Sequence, residues 1–137
     1  MRDEIAPVLR QFGLRGSGQA FSIPSDAYWA QIGFQKSDSS NALIVKFTVN
    51  LKVVSREAWA ETARTHRWLG AKPSPNTQAS LVPGAWDVRI GLLLPSGRDE
   101  WWRIEPDTPT APVAGEVLVA IHDFGLPAMR RRMTDRL

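Results

Sequence analysis

The sequence contains no cysteine. Disulfide bonds, thiol nucleophiles and cysteine-held zinc or iron–sulfur clusters are thereby excluded, and the lack is in keeping with a reducing compartment. Histidine is nearly as scarce: neither His66 nor His122 stands four residues from another ligand in a metal-binding spacing. No apolar run approaches the roughly 20 residues that span a bilayer. The start, Met1-Arg2-Asp3-Glu4, leads into an amphipathic segment without the apolar core of a secretory signal, so a cytoplasmic protein without a membrane partner is expected. Dinucleotide-binding and phosphate-loop glycine patterns and the Gly-x-Ser-x-Gly elbow are missing. Gly13-Leu14-Arg15-Gly16-Ser17-Gly18 is glycine-rich but follows a helical segment instead of opening one. No catalytic residue, cofactor or metal is therefore expected.

What is present is an ordinary globular composition. The 137 residues, 43% hydrophobic and 23% charged, suffice for one buried core and predict a single domain over 1–137. Basic residues outnumber acidic ones by 17 to 14, a net charge of only +3. The basic pI comes from arginine, which is scattered from Arg2 to Arg103; only Arg130-Arg131-Arg132 form a run. That run suits the last turn of a helix, where cations complement the dipole. A nucleic-acid partner, which calls for a basic stripe, is not expected.

Periodicity places the elements. Ile5, Val8, Leu9 and Phe12 recur at helical spacing, predicting a helix over 3–12 with Asp3 as its cap and Gly13 as its stop. Strands are predicted at Gln19–Ile23, Tyr28–Lys36 and Leu43–Val53. In the last of these, Leu43, Val45, Phe47, Val49, Leu51 and Val53 form one face and Lys46, Thr48, Asn50 and Lys52 belong to the other. Ser55 caps a short helix over 56–65 that turns Trp59 inward. Residues 70–84 show no periodicity and read as an irregular loop, long enough to be a lid or an insertion. Trp86–Leu94 and Glu100–Glu105, joined by the turn Pro95-Ser96-Gly97-Arg98, read as a hairpin. A helix follows from Thr110 with Val113, Val117, Ala120, Ile121 and Phe124 on its stripe; Gly125 ends it, and Pro127 restarts a short terminal helix. The order predicts an α+β two-layer sandwich: an antiparallel sheet of about five strands with N- and C-terminal helices packed on one face.

Phe34-Gln35-Lys36-Ser37, Phe47-Thr48-Val49-Asn50-Leu51, Arg89-Ile90-Gly91-Leu92, Trp101-Trp102 and Gly125-Leu126-Pro127 stand in this order along the sequence. Together with the opening helix ending at Phe12-Gly13, and Phe21 in the strand after it, they resemble a family of uncharacterised bacterial proteins, the domain of unknown function 4304, over about residues 3–134. The resemblance implies a fold and a bacterial origin, and no activity.

Strand alternation brings a polar set to the sheet face opposite the helices. The candidate binding residues are Gln35, Lys46, Thr48, Asn50, Asp87, Arg89, Trp101 and Arg103, with Gln31 and Lys52 beside them. Arginine and tryptophan dominate interaction hot spots, which points to a protein or peptide partner on an open face. The function expected is a non-enzymatic binding module of the immunity or accessory type. The alternative is a small enzyme or small-ligand-binding protein with a cleft under the 70–84 loop, using His66, Asp87 and Arg89. Trp68 and Trp86 bracket that loop and are candidates for lining such a groove.

Overall fold

The computed structural model describes residues 2–41 and 43–134, with nothing stated of the side chains of Arg2 and Thr134. Its elements in sequence order are helix α1 (Arg2–Gln11), strands β1 (Arg15–Ser17), β2 (Ala20–Ser22), β3 (Tyr28–Lys36) and β4 (Val45–Ser55), helix α2 (Arg56–Thr65), strands β5 (Trp86–Arg89) and β6 (Trp102–Ile104), and helices α3 (Ala111–Ala120) and α4 (Leu126–Thr134). The described residues form a six-stranded antiparallel sheet, β1-β2-β3-β4-β5, with β6 also on β4. This is an open α+β sheet of the expected class. No helix among the described residues is long and apolar enough to cross a membrane.

The sheet is built on β4, the strand with the clearest alternation in the sequence. Phe47, Val49, Leu51 and Val53 are buried on the face they were expected to share. They meet Ala30 and Ile32 from β3, Ile5 and Leu9 from α1, Val117 from α3, and Leu126 and Met129 from α4 in one core. Each large apolar side chain fully buried there stabilises the fold by about 1.5–3 kcal/mol. The opposite face is also partly roofed. Trp59 of α2, with Ala79 and Val82 of the 70–84 segment, closes a second, smaller core over Val54, packed against Trp29. Ser55 caps α2 as expected, its hydroxyl accepting from Ala58 N at 3.2 Å.

Several local expectations are corrected. Asp3 lies in the first turn of α1, not at its cap. Residues 15–17, in the glycine-rich stretch after α1, pair with β2 as a strand. The segment 86–105 is not a hairpin: β5 and β6 pair in tandem with β4, at Asn50–Val53 and at Val45–Phe47. Together they make one edge strand interrupted by an excursion. The apolar run Ile90–Leu93 coils into a 3₁₀ turn. At three residues per turn, Ile90 and Leu93 both reach the core, so the apolar pattern survives without a strand. Gly91 makes the excursion possible, because a Cβ there would stand 3.0 Å from Glu100 Cβ and closer still to the backbone at Arg98 and Glu100. Gly125, expected as a helix stop, carries no left-handed backbone. The backbone stays helical from α3 to α4 through a π turn, Ile121–Gly125. The glycine is required there by close packing: a Cβ would lie 3.2 Å from Ile90 Cδ1.

Candidate functional site

The pairing register settles which polar residues share a face. Gln31 stands opposite Lys52, Gly33 opposite Asn50 and Gln35 opposite Thr48; on the far side of β4, Asn50 faces Arg89, Lys52 faces Asp87 and Lys46 faces Arg103. The alternation of β3, β4, β5 and β6 therefore does gather Gln35, Lys46, Thr48, Asn50, Asp87, Arg89 and Arg103 on one face, while Trp101 precedes β6. That face is not open, however, and three regions replace the single surface.

The first region is covered. Among the described residues Lys52 is the largest fully buried side chain, with none of its surface exposed. Its ammonium donates to Asp87 Oδ1 and, at 2.8 Å, to the carbonyl of Thr77. The other carboxylate oxygen of Asp87 accepts the backbone N–H of Ala79 at 2.9 Å. Gln31 Nε2 donates to the carbonyl of Pro73 at 2.9 Å. A buried ion pair and two backbone carbonyls thus tie the 70–84 segment across the sheet as a strap. Gly33 gives it room: a Cβ there would stand 2.8 Å from Pro75 Cβ. Thr48, expected as a binding residue, is corrected to a structural one. It is fully buried, and its hydroxyl donates to the carbonyl of Glu100 at 2.8 Å, beneath the excursion between β5 and β6.

The second region is an open cleft of about 450 Å³ between the strap and that excursion. Gln35, Asn50, Asn76, Gln78, Arg89 and Asp99 supply its polar wall, Asp87 lies at its inner end, and Leu92 stands at its rim. Asn50 Nδ2 donates to Gln35 Oε1 at 2.7 Å and to Asn76 Oδ1 at 2.9 Å, which fixes three amides in one row. Among the described residues no hydrogen bond engages Gln35 Nε2 or Asn50 Oδ1, so the row leaves a donor and an acceptor for a ligand. Arg89 is held from two sides, by Asp99 Oδ2 at 2.8 Å and by the ring of Trp101, 5.0 Å from its guanidinium carbon. A guanidinium fixed in this way keeps part of its fork presented in a constant direction.

The third region is a shallow hollow of about 340 Å³ lined by Ser37, Ser39, Lys46, Trp101 and Arg103. Lys46 and Arg103 are like charges directly opposite one another, a pairing that costs stability unless an anion intervenes. Glu105, 3.6 Å from Arg103, relieves it in part.

Neither histidine reaches the cleft. His66 Nδ1 lies within hydrogen-bond reach of the carbonyl of Thr62 and the hydroxyl of Thr65, and His122 packs at a tilt against Phe12 beside Asp123. Trp68 and Trp86 do not form a groove together. Trp86 packs on the helix-side core with Arg132 over its ring, whereas Trp68 is 75% exposed against His66. Asn76, Gln78 and Asp99 belong to the cleft and were not singled out from the sequence. The signal that could have found the strap is Gly33, a small residue in the middle of a strand, which marks the close approach of another segment.

A model of the family described as domain of unknown function DUF4304 matches residues 5–131. The protein belongs to that family. No curated protein and no solved structure matches it. The DUF4304 match takes in every residue of the cleft, the strap and the hollow, so all three regions belong to the family domain. Among the described residues, this DUF4304 protein holds no group of three or more His, Asp or Glu able to bind a metal ion.

Proposed function

We propose that the protein is a non-enzymatic recognition module, of the immunity or accessory type, whose cleft holds a short polar segment of a partner protein. The observation that carries this reading is the fixed amide row Gln35–Asn50–Asn76, set beside an arginine that is itself held in place. Amide side chains both donate and accept, which matches the alternating N–H and C=O groups of a peptide backbone. Leu92, half exposed at the rim, offers an apolar contact beside them. The lining does not assemble the nucleophile, base and orienting group of acyl or phosphoryl transfer, since Asp87 is committed to Lys52 and the strap. The reading includes a bacterial setting, which the family resemblance implies, a cytoplasmic one, with which the cysteine-free composition is compatible, and no membrane or nucleic-acid partner. Arg56, Arg89 and Arg132 are each occupied with a tryptophan face and do not form a stripe for phosphates.

A second reading, a small polar ligand in the same cleft, is favoured by a volume within the range of small-molecule sites. One experiment separates the two. A photo-crosslinking residue is placed at Gln78 or Leu92, with Asp107 as a control position away from the cleft. A polypeptide captured from both cleft positions and not from Asp107, and lost in Arg89→Glu, is the expected result. Capture that Arg89→Glu leaves unchanged, or no polypeptide at either cleft position, overturns the peptide reading. In the second case, chemical-shift changes at Asn50 and Asn76 upon adding a small-molecule extract establish the alternative.

A further inference from the structure

A second cavity, of about 290 Å³, lies on the other side of the sheet, where α1 leaves the ends of β2, β3, β4 and β6 uncovered. Its character is opposite to that of the amide cleft. Ile5 and Ala6 of α1 form one wall, Phe21, Phe34 and Phe47 the floor, and Val45 and Ile104 the far side. The phenylalanines make a row across adjacent strands. Phe21 meets Phe34 edge to face with ring centres 6.1 Å apart, and Phe34 meets Phe47 at 6.4 Å. The register places them diagonally, Phe21 opposite Ile32 and Phe47 opposite Lys36, so the row follows from the strand pairing itself. An apolar cavity of about 150 Å³ accommodates one benzene ring, so this one has room for a ring or acyl tail of about twice that bulk.

One charged side chain stands among these residues. Lys36 shares the face of Phe34, lies directly across from Phe47 and is exposed at the mouth. Among the described residues no ion pair or hydrogen bond engages its ammonium. Gln19, which also lines the cavity, accepts from Phe34 N through its backbone carbonyl at 2.9 Å. An apolar interior with a single cation at its entrance complements a ligand that is apolar along its length and anionic at one end. The edge-to-face phenylalanines favour the C–H groups of a ring or an alkyl tail over their faces. We infer that this cavity binds a small apolar carboxylate, its hydrocarbon body over the Phe21–Phe34–Phe47 row and its carboxylate on Lys36. The site is separate from the amide cleft and independent of the function proposed for it.

The test is an NMR titration of the full-length protein with octanoate and 3-phenylpropionate, and with octanol as the uncharged control. Expected are saturable shifts at Ile5, Val45, Phe47 and Ile104, with octanol binding about twofold to fivefold more weakly, the worth of one solvated charge pair. Lys36→Gln should weaken the carboxylates by the same factor and leave octanol unchanged. Val45→Trp, which fills the cavity from its rim, should abolish all three; Val45→Ile is the conservative companion if the tryptophan variant fails to fold, and should weaken binding while preserving it. The preference between octanoate and 3-phenylpropionate decides whether the natural carboxylate is an acyl or an aryl one. No saturable shifts up to millimolar ligand, shifts centred on Asn76 and Leu92, or carboxylate binding indifferent to Lys36→Gln would each overturn the assignment.

Discussion

Removing Asp87 should be among the most damaging single changes available on the polar side of the sheet. In the native structure the Lys52 side chain is 0% exposed and its carboxylate partner 17% exposed. Asp87→Ala leaves an ammonium with one carbonyl, that of Thr77, in a fully buried site. Breaking a buried pair from one side costs about 3–5 kcal/mol. The variant also frees the N–H of Ala79, a lost charge-assisted bond worth about 1.5–3 kcal/mol that overlaps with the first figure, because the strap relaxes once for both. The reverse change, Lys52→Met, removes the buried cation and leaves Asp87 partly solvated and still bonded to Ala79 N, so about 1–2 kcal/mol is expected. The double variant should then be more stable than Asp87→Ala alone, because no unpaired charge remains buried. Urea unfolding of the four proteins at one pH and salt concentration reads all of this from midpoint and slope. Asp87→Ala within about 1 kcal/mol of the parent, or a double variant at the sum of the two singles, would show that the ion pair does not hold the strap.

Other consequences are simpler to read. Arg89→Ala removes an exposed ion pair and a half-exposed ring contact, so thermal or urea unfolding should shift by no more than about 1 kcal/mol, while cross-linking from the cleft is lost. Gly33→Ala forces Pro75 and Asn76 away from the sheet and should destabilise by about 1–3 kcal/mol, with faster amide exchange confined to the strap and α2. Gly91→Ala drives a methyl against the backbone of Arg98 and Glu100; a loss of about 2 kcal/mol or more is expected, with the Thr48 hydroxyl bond broken and Trp101 fluorescence altered. Gly125→Val should cost about 1–3 kcal/mol by crowding Ile90 and Leu51, whereas in Gly125→Ala the gain in helix propensity of up to ~1 kcal/mol offsets a smaller crowding.

The central ribbon is legible in the sequence because β4 alternates from Val45 to Val53, and a period of two admits one assignment of faces. The same pattern correctly groups Gln35, Asn50, Asp87 and Arg89. What covers that face is not legible. The strap is held through the carbonyls of Pro73 and Thr77 and the N–H of Ala79, groups that every sequence provides, so nothing in residues 70–84 announces where they bind. A lysine in the middle of a strand reads as solvated; its burial depends on Asp87, which is 35 residues away. The start of the β5–β6 excursion reads as a strand because apolar residues two apart and three apart both occur in Ile90-Gly91-Leu92-Leu93-Leu94, and the 3₁₀ geometry uses the second spacing. The glycine at 125 is ambiguous for a related reason: a helix stop and a close helix-to-sheet contact select the same residue.

The cleft exists only if the strap is a fixed wall, and the amide of Ala79 reports on that directly. Native-state hydrogen exchange should find this N–H protected to the level of the neighbouring β4 amides, and in Asp87→Ala its protection should fall to that of an exposed turn such as Ser96–Arg98. An Ala79 amide that exchanges as fast as an exposed turn in the unmodified protein would contradict the strap, and with it the cleft and the partner proposed for it.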